Sequence, residues 1–100
     1  MIQKGQLNWI FSACAIHSFD ILTVTNLNET PAHLSFDVYF TDIPPVKGLT
    51  AAVGAERVAC FKLSEPLGDQ KYKIPDVQYS LVVHSDVPVV AAFGGQGYSY

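Results

Sequence analysis

Alternating apolar and polar positions dominate the middle of the chain. In the segment His33–Thr41 every second residue is apolar, namely Leu34, Phe36, Val38 and Phe40. Successive side chains of a β-strand point to opposite faces of its sheet, so this order predicts a strand with one buried face. A second strand-like segment, Ile21–Thr25, precedes it across the polar turn Asn26–Pro31. The whole stretch indicates an antiparallel β protein.

The rest of the chain divides into similar short segments. Seven strand candidates can be marked, at Leu7–Ile16, Phe19–Thr25, His33–Thr41, Leu49–Val53, Arg57–Leu63, Tyr79–His84 and Val87–Phe93. Turn signals separate them at short intervals, which is typical of sandwiches and barrels rather than of βαβ units. We therefore expect an all-β fold, an antiparallel β-sandwich of about seven strands with little or no helix.

Three connections between these segments carry turn or loop signals. Gly54 and Ala55 predict a tight hairpin before Arg57, with the glycine supplying a positive φ. The segment Ser85–Pro88 predicts a sharp turn, because a proline at the start of a strand does little harm to the ladder. The longest irregular link, Glu65–Asp76, is expected to pass from one sheet to the other.

The composition indicates a single β-sandwich domain over residues 1–100. A length of 100 residues is enough for one core and too small for two. Of these residues 49% are hydrophobic and 15% are charged. So little charge also suggests that apolar surface is covered by another subunit, because large exposed apolar patches are uncommon on monomers. We therefore expect a homo-oligomer.

Charge and hydropathy exclude some classes of function. The formal net charge is −3 and the six basic residues are scattered singly, so nucleic-acid binding is not expected. No apolar run approaches the ~20 residues that cross a bilayer, and the first residues lack the pattern of a secretory signal. Together with only two cysteines, these features predict a cytoplasmic protein without disulfides.

No catalytic or metal centre is evident in the sequence. A reaction centre needs a nucleophile, a base and a stabilising group that converge, whereas His17, His33 and His84 fall on separate segments. Cys14 and His17 lie three apart, which is unlike the usual spacing of zinc ligands, and nothing marks Cys60 as activated. We therefore predict no enzyme activity, no metal and no cofactor, and interpret both cysteines as buried thiols.

The candidates for binding are a histidine, a charged pair and several aromatic residues. We expect His33 to hydrogen-bond the loop Asn26–Thr30, with a ligand contact as the alternative. Glu56 and Arg57 are either solvated charges or part of a salt bridge between subunits. Aromatic side chains can stack on a sugar, although an aromatic on a strand is more often core or interface. The rings considered for such a platform are Trp9, Tyr39, Tyr79 and Tyr98.

Four pieces of the sequence resemble the sensory rhodopsin transducer family. They are the block Asn26–Phe40, the segment Pro44–Val46 with the strand after it, the segment Val53–Arg57, and Ile74-Pro75 followed by Val83–Val90. The order and spacing of these pieces agree with the family from Thr23 to Val90. Trp9 is similar in position to a tryptophan near the start of family members.

The resemblance implies properties that the composition cannot show. Family members are cytoplasmic, form homotetramers and have a sandwich related in shape to carbohydrate-binding modules, and the named member is thought to relay a signal from a membrane photoreceptor. For this chain the resemblance implies a non-enzymatic binding or signalling adaptor whose partner is a membrane photoreceptor or another signalling protein. Its working parts would be outward residues of His33–Thr41 and the edges of Tyr79–Phe93. The alternative is a small carbohydrate- or metabolite-binding module with a sugar ligand.

The chain also departs from the family pattern near both ends. The segment Ile10–His17 lacks the acidic residue and the proline-containing loop that follow the tryptophan in family members. Phe19 and Asp20 stand where the family has a histidine and a glutamate. Near the C-terminus Ala92–Gly97 replaces a polar segment, and the strand after it is missing. We therefore expect a divergent, shortened member that keeps the scaffold; if those polar groups build the family's ligand site, most of that site is lost.

Overall fold

The computed structural model describes residues 4–13 and 20–94. This part of the chain contains six strands and no helix. In chain order they are β1 Gln6–Ala13, β2 Ile21–Asn26, β3 Ala32–Phe40, β4 Val46–Val53, β5 Arg57–Lys62 and β6 Tyr79–Gly94. Every pairing between them is antiparallel. The predicted all-β antiparallel fold is confirmed, with six strands in place of seven.

The strand β6 belongs to both halves of a curled sheet. Its first half pairs with β3 on one edge, which in turn pairs with β4, and with β1 on the other edge. Its last residues, Val90–Gly94, pair with β2, which pairs with β5. We call β4-β3-β6-β1 the front sheet and β6-β2-β5 the back sheet. Side chains from both sheets meet in one core between them.

One face of β6 points inward in both halves of the strand. Tyr79, Leu81, Val83, Val89 and Ala91 are buried, and the even-numbered residues between them are more exposed. A spacing of two is the period of a strand, and here it continues without a slip from the front sheet into the back sheet. The inward side chains of β6 therefore belong to the core contributions of both sheets.

The turn expected at Ser85–Pro88 is wrong, because these residues continue β6. Asp86, Val87 and Pro88 lie between the part that pairs with β3 and the part that pairs with β2, and none of them has a ladder partner within the described residues. A proline in that place costs no ladder hydrogen bond. The two strand candidates on either side of it are thus one strand of 16 residues.

The hairpin expected at Gly54 is also wrong. Because β4 lies in the front sheet and β5 in the back sheet, the turn between them passes from one sheet to the other. The residue with a positive φ is Glu56, at 53°, and not the glycine. The N–H of Glu56 donates to the carbonyl of Asn28 at 3.0 Å. The β4–β5 turn therefore lies against the β2–β3 turn, which also connects the two sheets.

A buried amide joins these two turns. Asn26 is fully buried at the end of β2, and its Nδ2 donates to the carbonyls of Thr30, Val53 and Gly54 at 2.8, 3.3 and 3.1 Å. Its Oδ1 accepts hydrogen bonds from the backbone N–H and the side-chain amide of Asn28, at 3.0 and 2.8 Å. Buried polar groups are tolerated when they are hydrogen-bonded, and this one side chain satisfies groups of both turns.

The side-chain amide of Asn28 extends this hydrogen-bond network to β6. Nδ2 of Asn28 also donates to the carbonyl of Pro88 at 2.7 Å, in the stretch of β6 without ladder partners. We call Asn26 and Asn28 the asparagine hub. The hub connects the end of β2, the two turns between the sheets, and the point at which β6 passes from the front sheet to the back sheet.

The inward register predicted for β3 is confirmed by the core. Leu34, Phe36 and Val38 are at most 2% exposed, whereas Phe40 is only partly buried at the end of the strand. The ring of Phe36 meets the ring of Phe61 from the back sheet edge-on, with 5.4 Å between the ring centres. The front and back sheets are therefore in direct contact through these aromatic rings.

The link between β5 and β6 passes from the back sheet to the front sheet, as expected for Glu65–Asp76. Three of its apolar side chains are buried, those of Leu63, Leu67 and Ile74. Leu67 and Tyr72 donate backbone hydrogen bonds to each other's carbonyls, at 2.8 and 3.0 Å. The link is thus held to the core by its own apolar residues.

We expect Asn26→Ala to lower the free energy of unfolding by ~3 kcal/mol or more. The change leaves carbonyls of both turns and the amide of Asn28 without their partner, at about 1–3 kcal/mol for each buried group. Asn26→Asp should lower the free energy of unfolding by about as much near neutral pH. A carboxylate has nearly the shape of the amide but cannot donate a hydrogen bond. Urea denaturation measures both. Thr25→Ala, on the outward side of the same strand, is the control and should cost at most about 0.5 kcal/mol. A stable Asn26→Asp variant would contradict this account of the hub.

Candidate functional site

Outward residues of the front sheet form a row of hydrogen-bonded polar groups. Nε2 of His84 donates to Oδ2 of Asp37 at 3.2 Å, which joins β6 to β3. Nδ1 of the same ring lies 2.6 Å from Oδ1 of Asn8 on β1. Oδ1 of Asp37 accepts from the backbone N–H of Gly48 on β4 at 3.0 Å. One series of contacts therefore crosses all four strands of the front sheet.

The strand register explains why these residues meet. Asn8 and Ser35 are the ladder partners of His84 on its two sides, and Asp37 is the diagonal neighbour two residues further along β3. The β3–β4 ladder slips beside Asp37, and Gly48 has a φ of 78°, which glycine adopts without strain. When both ring nitrogens of His84 carry a proton, the ring can donate to both neighbouring oxygens.

A second histidine–aspartate pair lies on the same face. The backbone N–H of His33 donates to Oδ1 of Asp86 at 2.8 Å, and ring Nδ1 donates to Oδ2 at 2.9 Å. Hydrogen bonds from the His33 backbone, and then from its ring, hold the pKa of Asp86 below its ordinary value. The expectation that His33 bonds the Asn26–Thr30 loop is thus wrong, because its side chain points outward from β3 and reaches β6 instead.

Exposed apolar groups accompany these polar ones. Ile10 is 71% exposed on β1, and Tyr39 is 39% exposed near the end of β3. Nζ of Lys47 lies 5.5 Å from the centre of the Tyr39 ring, within the range of a cation–π contact. We call this surface the front face, and define it by Asn8, Ile10, His33, Asp37, Tyr39, Lys47, His84 and Asp86. It combines exposed hydrophobic groups with polar groups that already have partners.

Trp9 lies on the other side of β1 and packs at the edge of the core. Its Nε1 donates to the carbonyl of Val89 at 3.0 Å. Its ring stacks on Phe11 with 6.2 Å between the centres, and Phe11 stacks on Phe93 at 5.7 Å. Gly5 permits the same close approach, since a Cβ there would lie 2.0 Å from the oxygen of Val89. These contacts attach β1 to the second half of β6, which is a structural role.

Tyr79 is also part of the core. It is 2% exposed, and its hydroxyl donates to Oδ2 of Asp20 at 3.5 Å. Burial, and then the neighbouring carboxylate, raise the pKa of Tyr79 far above its ordinary value. A ring enclosed in this way cannot stack on a ligand at the surface. Of the rings considered for a sugar platform, Tyr39 is exposed on the front face, and Tyr98 lies outside the described residues.

Glu56 and Arg57 belong to the back sheet and the turn before it. Both are exposed, and with Thr25, Leu27 and neighbouring residues they line a shallow cavity of about 280 Å³. Nη1 of Arg57 donates to the carbonyl of Glu56 at 3.1 Å, so the guanidinium is held against its own turn. The charged pair is therefore separate in the fold from the row of polar groups on the front sheet.

The interpretation of Cys60 as a buried thiol is wrong. Its side chain points outward from β5 and is exposed, and its Sγ lies 3.9 Å from Oγ1 of Thr23. Cys14 and His17 lie outside the described residues. Within residues 4–13 and 20–94, no group of three or more histidine, cysteine, aspartate or glutamate side chains is arranged to hold a metal ion.

The same part of the chain contains no helix that is long and apolar enough to span a membrane.

Sequence reasoning missed the row formed by Asn8, Asp37 and His84. Each occupies an outward position of its strand, which the alternation of apolar residues around Asp37 does indicate. The missing information is the register between strands that are far apart in sequence, because residues 8, 37 and 84 become neighbours only through the pairing of β1, β6 and β3. No local motif marks that pairing.

Fold and site together define a small curled β-sandwich with one outer face of hydrogen-bonded polar groups. The family described as ASRT, Anabaena sensory rhodopsin transducer, matches the sequence over residues 5–96. The chain therefore belongs to the Anabaena sensory rhodopsin transducer family. The resemblance seen in the sequence is confirmed.

Two solved structures share the fold. The Anabaena sensory rhodopsin transducer aligns with a TM-score of 0.83 over 97% of this chain and 93% of that one, at 19% identity. A crystal structure of Thermotoga maritima 1070 aligns with a TM-score of 0.76 over 96% of this chain and 88% of that one, at 21% identity. At such identities the likeness concerns the fold alone. A search of curated protein sequences finds no significant match.

The contribution of Asp86 to stability should depend on pH. Its pKa in the folded protein lies below the ordinary value of 3.8, so the stabilisation is fully present above that ordinary value and is lost as the pH falls from there through the lower pKa of the folded protein. The difference in unfolding free energy between the wild type and Asp86→Asn should therefore be larger at about pH 5.5 than at about pH 2.5. Denaturant titrations at the two pH values measure it. Asp76→Asn, in the β5–β6 link, is the control. If the difference in unfolding free energy between the wild type and Asp86→Asn does not change with pH, the His33–Asp86 pairing is contradicted.

Proposed function

We propose that this chain is a non-enzymatic signalling adaptor that docks on a partner protein through the front face. Family membership supports a transducer-like module. The observation that supports this surface most directly is the row from Asn8 through His84 to Asp37, which crosses the front sheet beside the exposed side chains of Ile10 and Tyr39. The sequence-based expectation placed the working residues on two of these strands, β3 and β6.

The arrangement of the front face suits protein recognition. Interfaces combine a few exposed apolar or aromatic anchors with polar groups that keep their hydrogen bonds. The polar side chains of the front face are held by intramolecular partners, so fewer side-chain rotamers remain to be ordered when a partner binds. His33 and Tyr39 take part as exposed contacts, while Trp9 and Tyr79 support the fold from the inside.

The surroundings of the two histidines favour binding over catalysis. His33 contacts Asp86, and His84 contacts Asp37 and Asn8. Among the described residues neither ring is hydrogen-bonded to a serine, threonine or cysteine that could serve as a nucleophile. Of the cavities within the described residues, those beside Phe40 and beside Arg57 are lined by no histidine. A non-enzymatic role without a cofactor is the reading that fits these surroundings.

The partner that we propose is a membrane photoreceptor of the sensory rhodopsin type or another signalling protein. The name of the family supports the photoreceptor as the partner. We also propose that the chain works in the cytoplasm as a homo-oligomer, a tetramer by resemblance to the family. Its low content of charged residues, 15%, supports self-association because apolar surface is then left to be covered.

A binding titration tests the adaptor role. The probe is Anabaena sensory rhodopsin in lipid vesicles, and the expected result is saturable binding by the wild type. Ile10→Asp should weaken binding by at least about tenfold, because it places a charge among the apolar contacts of the front face. Val77→Asp is the matched control, since Val77 is 42% exposed outside the front face, and its binding should equal that of the wild type. No binding by the wild type would contradict the photoreceptor partner, and equal loss in both variants would contradict the front face.

The second candidate function is carbohydrate binding, and Tyr39 is the observation that favours it. An exposed ring flanked by Asp37 and Lys47 has the elements of a sugar site, a stacking surface beside hydrogen-bonding groups. Calorimetric titration with simple sugars should then give heat that Tyr39→Ala abolishes. Tyr72→Ala, outside the front face, should retain the heat. The absence of heat with every sugar tested would remove this candidate.

A further inference from the structure

The hydrogen-bond pattern of β5 directs a row of its backbone groups away from β2. The N–H of Leu63, just after the strand, donates to the carbonyl of Asp20 at 2.9 Å, so these two residues continue the β2–β5 ladder as a hydrogen-bonded pair. Along an antiparallel ladder such pairs alternate with pairs whose N–H and C=O groups point away from each other. The backbone groups of Val58, Cys60 and Lys62 therefore point to the outer side of β5. We call this row the β5 edge.

The β5 edge is open to a further strand. β5 is the last strand of the back sheet, and the described part of the chain places no strand on its other side. The carbonyl of Lys62 accepts from the N–H of Glu65 in the next turn, at 3.1 Å. The N–H of Lys62 and both backbone groups of Val58 and Cys60 are left for a partner from outside.

The two other edge strands carry features that hinder strand addition. The β1–β6 ladder slips near the start of β1. On β4 the N–H of Thr50 donates to Oε1 of Gln70 at 2.8 Å, and the carbonyl of Thr50 accepts from the N–H of Asp69 at 2.7 Å. Register slips and covering loops are common protections of sheet edges. β5 contains no proline and its ladder with β2 has no slip, so among the edges within residues 4–13 and 20–94 it is the unprotected one.

The side chains along β5 favour an added strand with apolar groups. Val58 is 60% exposed on the outer side, and Ala59 and Phe61 are only partly buried on the inner side, where they pack against the core. Alternate side chains of a strand beside β5 would lie next to one or the other of these groups. Apolar side chains on the inner side of the added strand would therefore extend the core beyond Phe61.

The charges at the two ends of β5 favour an acidic segment. Arg57 begins the strand and Lys62 ends it, with no carboxylate between them, while the acidic residues Glu56 and Glu65 lie in the turns outside the strand. Nη1 of Arg57 donates to the carbonyls of Ala55 and Glu56 at 3.4 and 3.1 Å. A guanidinium has five N–H donors, so the others can bind a carboxylate.

We propose that the β5 edge binds an extended segment of a partner protein by strand addition, at a site separate from the front face. The segment contains no proline, places apolar side chains beside Phe61 at every second position, and carries carboxylates near Arg57 and Lys62. Main-chain hydrogen bonds provide the affinity of such a site, and flanking side chains provide its specificity. An adaptor needs two contacts, and the β5 edge supplies a second one whatever protein occupies the front face.

Hydrogen exchange of single amides, followed by NMR, tests the proposal. In the free protein the amides of Val58, Cys60 and Lys62 should exchange at least about tenfold faster than those of Ala59 and Phe61, which point to β2. The probe is the peptide acetyl-Asp-Thr-Val-Thr-Val-Thr-Asp-amide, whose valines suit the inner side. At saturation it should slow the three outer amides at least about tenfold and leave the two inner amides unchanged.

Matched controls distinguish strand addition from other binding. The same peptide with proline in place of each threonine lacks the N–H groups that face β5, and it should slow no amide. Lys62→Glu should weaken binding of the acidic peptide about three- to tenfold, because an attraction becomes a repulsion. Lys47→Glu makes the same change on the front face and should bind like the wild type. The dispersion of the amide spectrum establishes that each variant is folded.

Three results would overturn the proposal. Slow exchange of the outer amides in the free protein would do so: a rate that rises on dilution assigns the β5 edge to a second copy, and a constant rate assigns it to the chain itself. Fast exchange that the peptide does not slow, or equal binding by Lys62→Glu and Lys47→Glu, would do the same. Ile10→Asp, which disrupts the front face, should leave the protection by the peptide unchanged, so a failure of either surface is seen separately.

Discussion

The architecture depends on one buried side chain, the amide of Asn26. Backbone carbonyls of the two turns between the sheets lie against the fully buried side chain of Asn26, and buried polar groups need a partner. Asn26 supplies donors to both turns, and Asn28 carries the connection to Pro88 on β6. An apolar residue of similar size would fill the space and leave these groups unpaired. The hub therefore fixes how the two sheets are placed relative to one another.

The sequence was sufficient for the parts of the fold that follow from local periodicity. The alternation from Leu34 to Val38 gave the correct buried face, because β3 lies between two partners and every second side chain enters the core. The same rule applied to β5 would have shown Cys60 outward, since Ala59 and Phe61 face inward. Pro88 was misleading, because a proline outside the ladder looks the same in sequence as a proline in a turn.

The candidate site was harder to predict, because its geometry is set by contacts between distant strands. His33 and Tyr39 could be placed on the outward side of β3 from the alternation alone. Their neighbours could not, since Asp86 meets His33, and His84 meets Asp37, only through the register of β6 against β3. Trp9 and Tyr79 were considered for a sugar platform, with core or interface as the commoner alternative, and in the structure Trp9 attaches β1 to β6 while Tyr79 is buried against Asp20. The front face emerges only once these registers are known.

The position of β6 in the chain has a consequence for folding kinetics. Within residues 4–13 and 20–94, three of the five strand pairings, those with β1, β2 and β3, include this strand. While the earlier segments are being synthesised, only the β2–β5 and β3–β4 ribbons can form, and the apolar positions that later pack against β6 stay uncovered. Closure then joins residues about 70 positions apart, such as Trp9 and Val83, and such non-local contacts make folding slow. Until then the nascent polypeptide exposes its apolar ribbons, which is the state in which chaperones and aggregation compete for it.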